Sequence, residues 1–412
     1  MTGKNLDAEI AIVGAGAAGL AAAQALQARD RDFILLEASH RIGGRAYTEQ
    51  LTPDIPFDLG AHWIHSDELN PFMTIAAECG ADLEKDDKDY VLADYFEDGQ
   101  WLPDSAYTEL SQYVEQQWDA VGKAAELSDE LSVFDVIDND SRWAPYFHLF
   151  FSQDQTHDVD EVSTRDVASY VRGGFDYAVR SGFGNLLTKF GAGLPVSLNT
   201  AVQAIDYSGP HVRLKTTKGE LRVAKVILTV STGILASQRI KFEPALPDWK
   251  LEAIRGLPLG SCTRVGLTFE ESFLDELSED FTVRVGDDEP SHFRNRPCGY
   301  QCLEFVTGGR LAAWMEKSGE SATIDYVLGR LRQIVGNKQP MTISRRIISA
   351  WSNDAWTLGS YSCAAPASQH QRARLAEALD EKIYFAGEAT SEKFFATVHG
   401  AYFSAMDVVH AV

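Results

Sequence analysis

Apolar and polar residues near the start of the chain follow a strand–turn–helix–strand order. Residues 9–13 (EIAIV) and 33–37 (FILLE) are short apolar runs typical of buried strands. Between them, residues 14–19 contain three glycines and residues 20–28 are rich in alanine, which predicts a tight turn followed by a helix. The pattern therefore predicts a βαβ unit.

The rest of the chain contains two further kinds of pattern. Alternating apolar positions recur over residues 176–247, where they predict a returning set of strands. Residues 76–172 and roughly 250–348 have more helical spacing and more aromatic residues. An aromatic residue at helical spacing is more often packing than ligand contact, so we expect most of the following to lie in the core: Trp101, Tyr113, Trp118, Trp143, Tyr146 and Phe147.

Length and composition indicate a globular enzyme of two packed units. A chain of 412 residues exceeds what one hydrophobic core usually organises, and 45% hydrophobic with 24% charged residues is typical of a soluble fold. Lys plus Arg is 37 against 60 for Asp plus Glu, giving a net charge of -23. Such a surface repels phosphate backbones and anionic lipids, so we expect no nucleic-acid partner and no membrane partner.

The cysteines and the N-terminal residues bear on location and metals. The five cysteines, an odd number, lack the CxxC pairs of a zinc site, and no stretch approaches the roughly 20 apolar residues that span a membrane. The first residues do not form a basic start followed by an apolar run. We therefore expect a cytoplasmic protein without a metal or structural disulfides.

The glycine-rich turn predicts a dinucleotide site. Gly14, Gly16 and Gly19 form GxGxxG, in which the first allows the turn, the second admits a pyrophosphate and the third brings helix and strand together. The start of the following helix favours negative charge. Glu37, at the end of the second predicted strand, can accept hydrogen bonds from ribose hydroxyls.

The segment after Glu37 narrows the identity of the dinucleotide. Residues 41–45 (RIGGR) supply flexible backbone and two guanidinium groups near the pyrophosphate. From here the sequence resembles the FAD-dependent amine oxidase family, which includes monoamine, polyamine and histone-demethylating oxidases, and the resemblance runs nearly end to end. Residues 58–65 (DLGAHWIH) are especially similar to N1-acetylpolyamine oxidases, and residues 383–390 (IYFAGEAT) with 396–401 (ATVHGA) resemble the family's C-terminal cofactor motif.

The resemblance implies the fold and the cofactor. We expect an α/β protein in which a Rossmann-type, glutathione-reductase-like FAD-binding domain (1–75, 173–249 and 349–412) is interleaved with an α+β substrate-binding domain (76–172 and 250–348). FAD is expected to bind noncovalently, since no cysteine lies where an attachment is expected. The predicted cofactor-binding residues are Gly14, Gly16, Ala17, Gly19, Glu37, Ala38, Gly44, Arg45, Gly60, Ala61, His62, Trp63, Val202, Trp351, Gly387, Glu388, Thr397 and Val398.

The resemblance also implies roles within this set. Gly60 and Ala61 leave room for the flavin ring, and the backbone of Val202 contacts the adenine end. Glu388 suits ribityl or ribose hydroxyls. A helix that opens near Thr397 directs its positive end at the pyrimidine edge of the flavin, where reduced flavin carries negative charge.

The catalytic positions are implied in the same way. Trp351 is expected beside the flavin, with Tyr361 as one wall of an aromatic cage and Thr397 at the second wall, where histone-demethylating members also carry threonine. Phe394 and Phe395 are candidates to compensate for the missing ring.

Three further positions carry an open alternative. The family commonly places a lysine where this chain has Arg264, and strand alternation over residues 262–269 directs Arg264 either to the pocket or to solvent. His62 and His65 are either catalytic or ordinary hydrogen-bonded histidines.

The reaction implied is hydride transfer from the carbon next to an amine nitrogen to flavin N5, followed by reoxidation with oxygen to hydrogen peroxide and hydrolysis of the imine. Polyamines or acetylated polyamines are the first substrate hypothesis. Two alternatives remain open from the sequence: an FAD-dependent oxidoreductase acting on an amino acid or a C–C bond, with Arg264 binding a carboxylate, and an FAD-binding scaffold without turnover. The sequence does not predict the oligomeric state.

Overall fold

The computed structural model describes residues 6–86, 91, 93–128 and 130–412. The helices in this part of the chain are α1 (Ala17–Gln27), α2 (Phe72–Glu78), α3 (Asp104–Leu127), α4 (Ala144–Gln155), α5 (Thr164–Ser169), α6 (Phe183–Phe190), α7 (Thr232–Ala236), α8 (Asp248–Gly256), α9 (Gly309–Ser318), α10 (Glu320–Val335), α11 (Gln371–Ala376) and α12 (Val398–Ala411). The strands are β1 (Ala8–Val13), β2 (Phe33–Leu36), β3 (Thr48–Thr52), β4 (Ile55–Asp58), β5 (Trp63–Ile64), β6 (Leu83–Asp86), β7 (Asp94–Glu97), β8 (Gln100–Trp101), β9 (Asp176–Val179), β10 (Val196–Ser197), β11 (Val202–Asp206), β12 (Val212–Thr216), β13 (Gly219–Leu228), β14 (Lys241–Glu243), β15 (Cys262–Phe269), β16 (Asp280–Arg284), β17 (Ser291–Asn295), β18 (Leu303–Gly308), β19 (Ile343–Ile348) and β20 (Ile383–Phe385).

The largest sheet joins three distant parts of the chain. Its strand order is β10–β2–β1–β13–β12–β11–β14, and β20 pairs with the second half of β13. The strands β2, β1, β13 and β20 are parallel, and Val13 lies level with both Leu36 and Leu228, which in turn pairs with Phe385. Four strands therefore end at one edge, where open parallel sheets bind their ligands.

Both faces of this sheet are covered, which explains the continuous apolar run of β1. Ile10 and Ile12 pack into the core shared with α1 and α12, whereas Ala11 and Val13 pack on the other face with residues of α8 and α11. A parallel strand buried on both faces loses the usual apolar–polar alternation. The predicted βαβ unit is confirmed, and its first strand lies in the middle of the sheet.

A second, seven-stranded sheet has the order β19–β15–β18–β17–β16–β7–β8, and α9 and α10 pack against it. The helices α3 and α4 contribute to a separate core that contains Tyr113, Trp143, Tyr146 and Phe147, as expected for most of the aromatic residues. Trp101 is the exception, since it is 46% exposed at the sheet edge. The strands β5, β9 and β6 form a separate three-stranded sheet in the order β5–β9–β6. The domain boundaries given above stay a prediction.

The described residues contain neither a candidate membrane-spanning helix nor a candidate metal cluster. None of the helices there is long and apolar enough to cross a membrane. In the same residues, no group of three or more His, Cys, Asp or Glu side chains is arranged to hold a metal ion, and all five cysteines are free.

Candidate active site

A cavity of about 670 Å³ opens at the edge of the large sheet where β1, β2 and β13 end. Its volume is in the range of small-molecule and cofactor sites. The cavity is lined by every predicted cofactor-binding and catalytic residue except Gly19, including Ala17, Ala38, Trp63, Val202, His65, Arg264 and Tyr361. The structure thus brings the three distant motifs to one site, while the individual roles stay predictions.

The glycine-rich turn is shorter than the sequence predicts. The helix α1 begins at Ala17, not at Leu20, because Gly14 with φ +105° completes the reversal. A Cβ on Gly16 would meet nothing closer than 3.9 Å, so its surface is open toward the cavity. A Cβ on Gly19 would lie 1.9 Å from the carbonyl oxygen of Gly14, which makes Gly19 a packing position and not a lining one.

Glu37 holds this turn in shape. Its buried carboxylate accepts the backbone N–H groups of Ala15 at 2.7 Å and Ser39 at 2.8 Å. The same carboxylate lines the cavity at the end of β2. It therefore fixes the entry into α1, and its contact with a ribose stays a prediction.

An ion pair joins the first motif to the C-terminal one. Arg45 Nη1 donates to Glu388 Oε1 at 2.9 Å, and Glu388 Oε2 also accepts from Ser362 Oγ at 2.7 Å and from the backbone N–H of Ala396 at 3.0 Å. The adjacent Gly387 has φ +145° and no atom within 4 Å of a built Cβ. The backbone at this point is accessible from the cavity.

The N-terminus of α12 lies at the cavity, as predicted. Thr397 is its N-cap: Oγ1 accepts from the N–H of Gly400 at 3.0 Å and donates to the carbonyl of Phe394 at 2.7 Å. Both Thr397 and Val398 line the cavity, so the positive end of a 14-residue helix is at its wall. Phe395 also lines the cavity, whereas Phe394 is not among the lining residues and contacts His399.

The segment 58–65 packs against Arg45 and Trp351. Gly60 is required by close packing, because a Cβ there would lie 1.9 Å from the carbonyl oxygen of Arg45 and 3.0 Å from Trp351. This packing is a reason for glycine that the sequence did not indicate, and room for the flavin ring stays a prediction. Trp351 donates its indole N–H to the carbonyl of Leu59 at 2.7 Å, and the N–H of Ala61 donates to Arg45 O at 3.1 Å.

Each of the two histidines is paired with an aspartate. His62 Nδ1 lies 2.9 Å from Asp58 Oδ2, and His65 Nδ1 lies 2.7 Å from Asp176 Oδ2. The other ring nitrogen of His62, Nε2, is buried and has no partner among the described residues. A carboxylate on Nδ1 fixes the tautomer and the ring orientation of the histidine.

Tyr361 forms a wall of the cavity that is fixed by α4. Its hydroxyl lies 3.0 Å from the carbonyl oxygen of Asp154 and 3.3 Å from that of Gln153, at the last turn of this helix. Burial raises the pKa of Tyr361 well above its ordinary value, so the hydroxyl remains a hydrogen-bond donor. The ring therefore keeps one orientation.

Arg264 faces the cavity, and the solvent-facing alternative is wrong. The side chain is buried on β15, donates from Nη2 to Glu304 Oε1, and lies 5.5 Å from the Trp63 ring. Burial raises the pKa of the Glu304 carboxyl, but the positive charge around it, that of Arg264 first, lowers the pKa more, so the pKa lies below its ordinary value. A guanidinium already paired with a buried carboxylate is a poor site for a substrate carboxylate.

The sequence predictions missed the acidic partners of these residues. Asp58 precedes His62 by four residues and could have been proposed from that spacing, whereas Asp176 and Glu304 come from distant strands and carry no local signal. Asp154 was not predicted either, because its position at the cavity depends on how α4 packs against Tyr361.

Comparisons with known proteins agree with this geometry. The family model described as flavin containing amine oxidoreductase matches residues 17–412. The chain belongs to that family. As a flavin amine oxidoreductase it acts on CH–NH or CH–NH2 groups, and the predicted enzyme class is confirmed.

Curated relatives within the family include polyamine oxidases and histone demethylases. "Polyamine oxidase 3" of Oryza sativa subsp. japonica is 30% identical over 427 residues, covering 95% of this chain and 86% of that protein. "Lysine-specific histone demethylase 1 homolog 2" of the same species is 29% identical and aligns with 99% of this chain but 58% of its own length. The family resemblance seen in the sequence is therefore confirmed.

Solved structures confirm the fold class. Wild-type putrescine oxidase bound to putrescine superposes with a TM-score of 0.81 at 18% identity, covering 98% of each chain. The two chains share one fold, and the predicted α/β fold class is confirmed.

Proposed function

We propose that this flavin amine oxidoreductase binds FAD noncovalently and oxidises small amines of the polyamine class, with oxygen as electron acceptor. The observation that carries the proposal is the single cavity in which dinucleotide-type residues such as Gly16 and Glu37 meet the histidines and Tyr361. The phosphate end and the reactive end of one cofactor can then be held by the same continuous wall.

The residues present fit FAD in three respects. The N-terminus of α1 and the open face of Gly16 suit a pyrophosphate, and Glu37 suits a ribose. The positive end of α12 also lies at the cavity wall, where it favours negative charge on the flavin ring. Among the described residues, the cysteine that lines the cavity is Cys262, on β15 and outside the cofactor motifs. The absence of a cysteine from the motif segments of the lining supports noncovalent binding.

When bound, FAD would accept a hydride at N5 from the carbon next to the amine nitrogen and pass the electrons to oxygen, giving hydrogen peroxide and an imine that water hydrolyses. The protein contributes position and charge. Tyr361 and Trp351 present aromatic surface along which an alkyl amine can lie in one orientation. His62, held by Asp58 through Nδ1, contributes an imidazole of fixed orientation to the same wall.

The relatives, the charge of the chain and its cysteines support the proposed substrate class and location. Polyamine oxidases are among the relatives, a net charge of -23 attracts cations, and four aspartates line the cavity away from the phosphate end: Asp86, Asp154, Asp176 and Asp280. The pairing of Arg264 with Glu304 speaks against the amino-acid alternative. The unpaired cysteines support the proposal of a cytoplasmic location.

The first experiment is purification with the bound flavin. Acid precipitation should release all of the yellow cofactor as FAD, and mixing with monoamines, diamines, polyamines and amino acids without oxygen should bleach the flavin with amines. Peroxide should form when oxygen is admitted. Flavin that stays with the precipitated protein would contradict noncovalent binding, and a flavin that no amine reduces would support the scaffold alternative.

A matched pair of variants tests the proposed wall. Tyr361→Phe keeps the ring and removes the hydrogen bonds to α4, whereas Tyr361→Ala removes the ring as well. We expect the alanine variant to lose at least about tenfold more in the rate of anaerobic flavin reduction than the phenylalanine variant, because orientation and not the hydroxyl is the proposed contribution. Equal losses would show that the ring does not orient the amine.

A further inference from the structure

Two fully buried side chains of opposite charge lie next to the C-terminal cofactor motif. Arg372 on α11 and Asp166 on α5 are both 0% exposed, and the guanidinium donates from Nε to Oδ1 at 2.7 Å and from Nη2 to Oδ2 at 2.8 Å. Neither residue is among those that line the cavity. A buried ion pair gains little stability over apolar side chains of the same volume, so stability alone does not account for this pair.

Arg372 connects the pair to the cofactor motif through Ser362. Its Nη1 donates to Ser362 Oγ at 3.0 Å and to the carbonyl of Ala389 at 3.3 Å. A guanidinium nitrogen can only donate, so the serine oxygen accepts and its single proton is left for another acceptor. That acceptor is Glu388 Oε2, at 2.7 Å. The arginine thus fixes the direction in which the buried hydroxyl donates.

The same network fixes the backbone around the serine. Asp166 Oδ2 accepts the backbone N–H of Ala364 at 2.7 Å, and Arg372 Nη2 donates to the carbonyl of Ser362 at 3.3 Å. The backbone N–H of Ser362 donates to the Glu388 carboxylate, with 3.3 Å to Oε1. The buried ion pair therefore holds this segment in place while both its hydroxyl and its N–H donate to one carboxylate.

Glu388 passes this arrangement on to Arg45 at the cavity. Its Oε1 accepts from Arg45 Nη1 at 2.9 Å, and the same nitrogen donates to the carbonyl of Ser360. The Arg45 side chain lines the cavity and is 26% exposed, and its Nε and Nη2 have no hydrogen-bond partner among the residues that the structure describes. One edge of the guanidinium is therefore available to an anionic group in the cavity, and a phosphate suits its fork geometry.

We propose that Arg372 and Asp166 are positioning residues for FAD binding. They orient the Ser362 hydroxyl, and that hydroxyl together with Glu388 holds Arg45 for the phosphate groups of the cofactor. The inference rests on the FAD binding proposed above and adds two residues that do not line the cavity. Because Arg372 acts through one serine hydroxyl, its effect on FAD affinity disappears when that hydroxyl is removed.

A double-mutant cycle separates this role from packing. The FAD dissociation constant is measured by diluting the flavin-loaded protein and following the fluorescence of the released flavin. We expect Ser362→Ala to raise the constant about tenfold, the low end of the effect of one hydrogen bond to a charged group. Arg372→Lys should raise it by a similar factor, because one lysine nitrogen cannot replace the bonds to both Asp166 and Ser362. In a Ser362→Ala background, Arg372→Lys should raise it no further.

Unfolding of the flavin-free protein gives the second readout. Arg372→Lys should lower the unfolding midpoint equally in both backgrounds, because the two hydrogen bonds to Asp166 are lost in each. Affinity and stability therefore respond differently to the loss of the Ser362 hydroxyl. Independent losses of FAD affinity, which multiply to about a hundredfold in the double variant, would overturn the proposal.

Lys250→Met is the matched control for loosening of α11. Lys250 is 0% exposed on α8 and donates from Nζ to the carbonyls of Leu375 at 2.8 Å and Glu377 at 2.6 Å, where α11 ends. This variant should lower the unfolding midpoint, because buried carbonyls lose their donor, and leave the FAD dissociation constant within about twofold of wild type. A loss of affinity equal to that of Arg372→Lys would contradict the proposal.

Failure of the proposed function has a different signature. The assay contains no amine, so it does not depend on amine oxidation. Wild-type protein that binds no FAD would contradict the proposed cofactor and this inference together, whereas normal binding with independent losses in the cycle would contradict this inference alone. If Arg372→Lys does not fold, Ser362→Ala decides by itself: a raised dissociation constant supports the proposal, and an unchanged one leaves Arg372 nothing to act through.

Discussion

Glu304→Gln should destabilise the protein because the buried positive charge of Arg264 loses its counter-ion. The side chains of Arg264 and Glu304 are 5% and 1% exposed, and the guanidinium donates directly to the carboxylate. Glutamine can accept that hydrogen bond but cannot compensate the charge. The variant therefore contains a buried guanidinium without a counter-ion in a direct ion pair.

The size of the effect follows from this burial. Breaking a buried ion pair on one side costs about 3–5 kcal/mol. An unfolding entropy of about 2.1 cal/mol/K per residue gives about 0.9 kcal/mol/K for a chain of this length. The midpoint temperature of thermal unfolding should therefore fall by about 3–6 °C if the chain unfolds as one unit. The shift is larger if the domain containing β15 and β18 unfolds separately.

Thermal unfolding, followed by dye binding, measures the shift. Glu320→Gln is the matched control, because its partner Arg346 is exposed and such pairs contribute at most about 1 kcal/mol. The double variant Arg264→Met with Glu304→Leu should recover most of the stability lost by Glu304→Gln, since no charge remains buried. A midpoint for Glu304→Gln that matches that of Glu320→Gln would refute the reasoning.

Three other substitutions test separate features. Gly19→Ala should lower the flavin content and the unfolding midpoint because its Cβ meets a backbone oxygen, whereas Gly122→Ala, with open space around it, should not; equal effects would contradict this. Burial lowers the pKa of His292 to about 4, so the unfolded chain binds a proton below about pH 6.5 that the folded chain does not, and stability falls as pH drops from 6.5 toward 4. His292→Gln should reduce this slope by up to about 1.4 kcal/mol per pH unit in unfolding measured at pH 7.5 to 5, and an unchanged slope would exclude the role. Arg372→Lys should cost about 1–3 kcal/mol in denaturant unfolding, since lysine cannot reproduce the two hydrogen bonds to buried Asp166; full retention of stability would argue against that geometry.

The parts of the fold that the sequence predicted depend on local pattern. The strand–turn–helix at residues 8–27 and the N-terminus of α12 could be predicted because glycines, apolar runs and a capping threonine lie next to one another. The start of α1 was placed three residues late, since Gly19 was counted as part of the turn although its role is close packing inside the helix.

The acidic side of the site could not be predicted in the same way. Arg264 was expected at the pocket or in solvent, and the choice depends on Glu304, which β18 places diagonally across the antiparallel pair with β15. Asp154 reaches the cavity only because α4 ends against Tyr361, more than two hundred residues later in the chain. Pairings at such separations leave no trace in local hydrophobic periodicity.

The packing of α1 against α12 affects the order in which the protein can fold during synthesis. The two helices share one apolar core, and Arg29 Nη1 donates to the carbonyl of Val409 at 2.8 Å. Translation at about 5–20 residues per second separates the appearance of these two helices by roughly 20 to 70 s. For that interval the apolar face of the nascent N-terminal unit lacks its partner helix, so the emerging polypeptide is exposed to aggregation until α12 has left the ribosome.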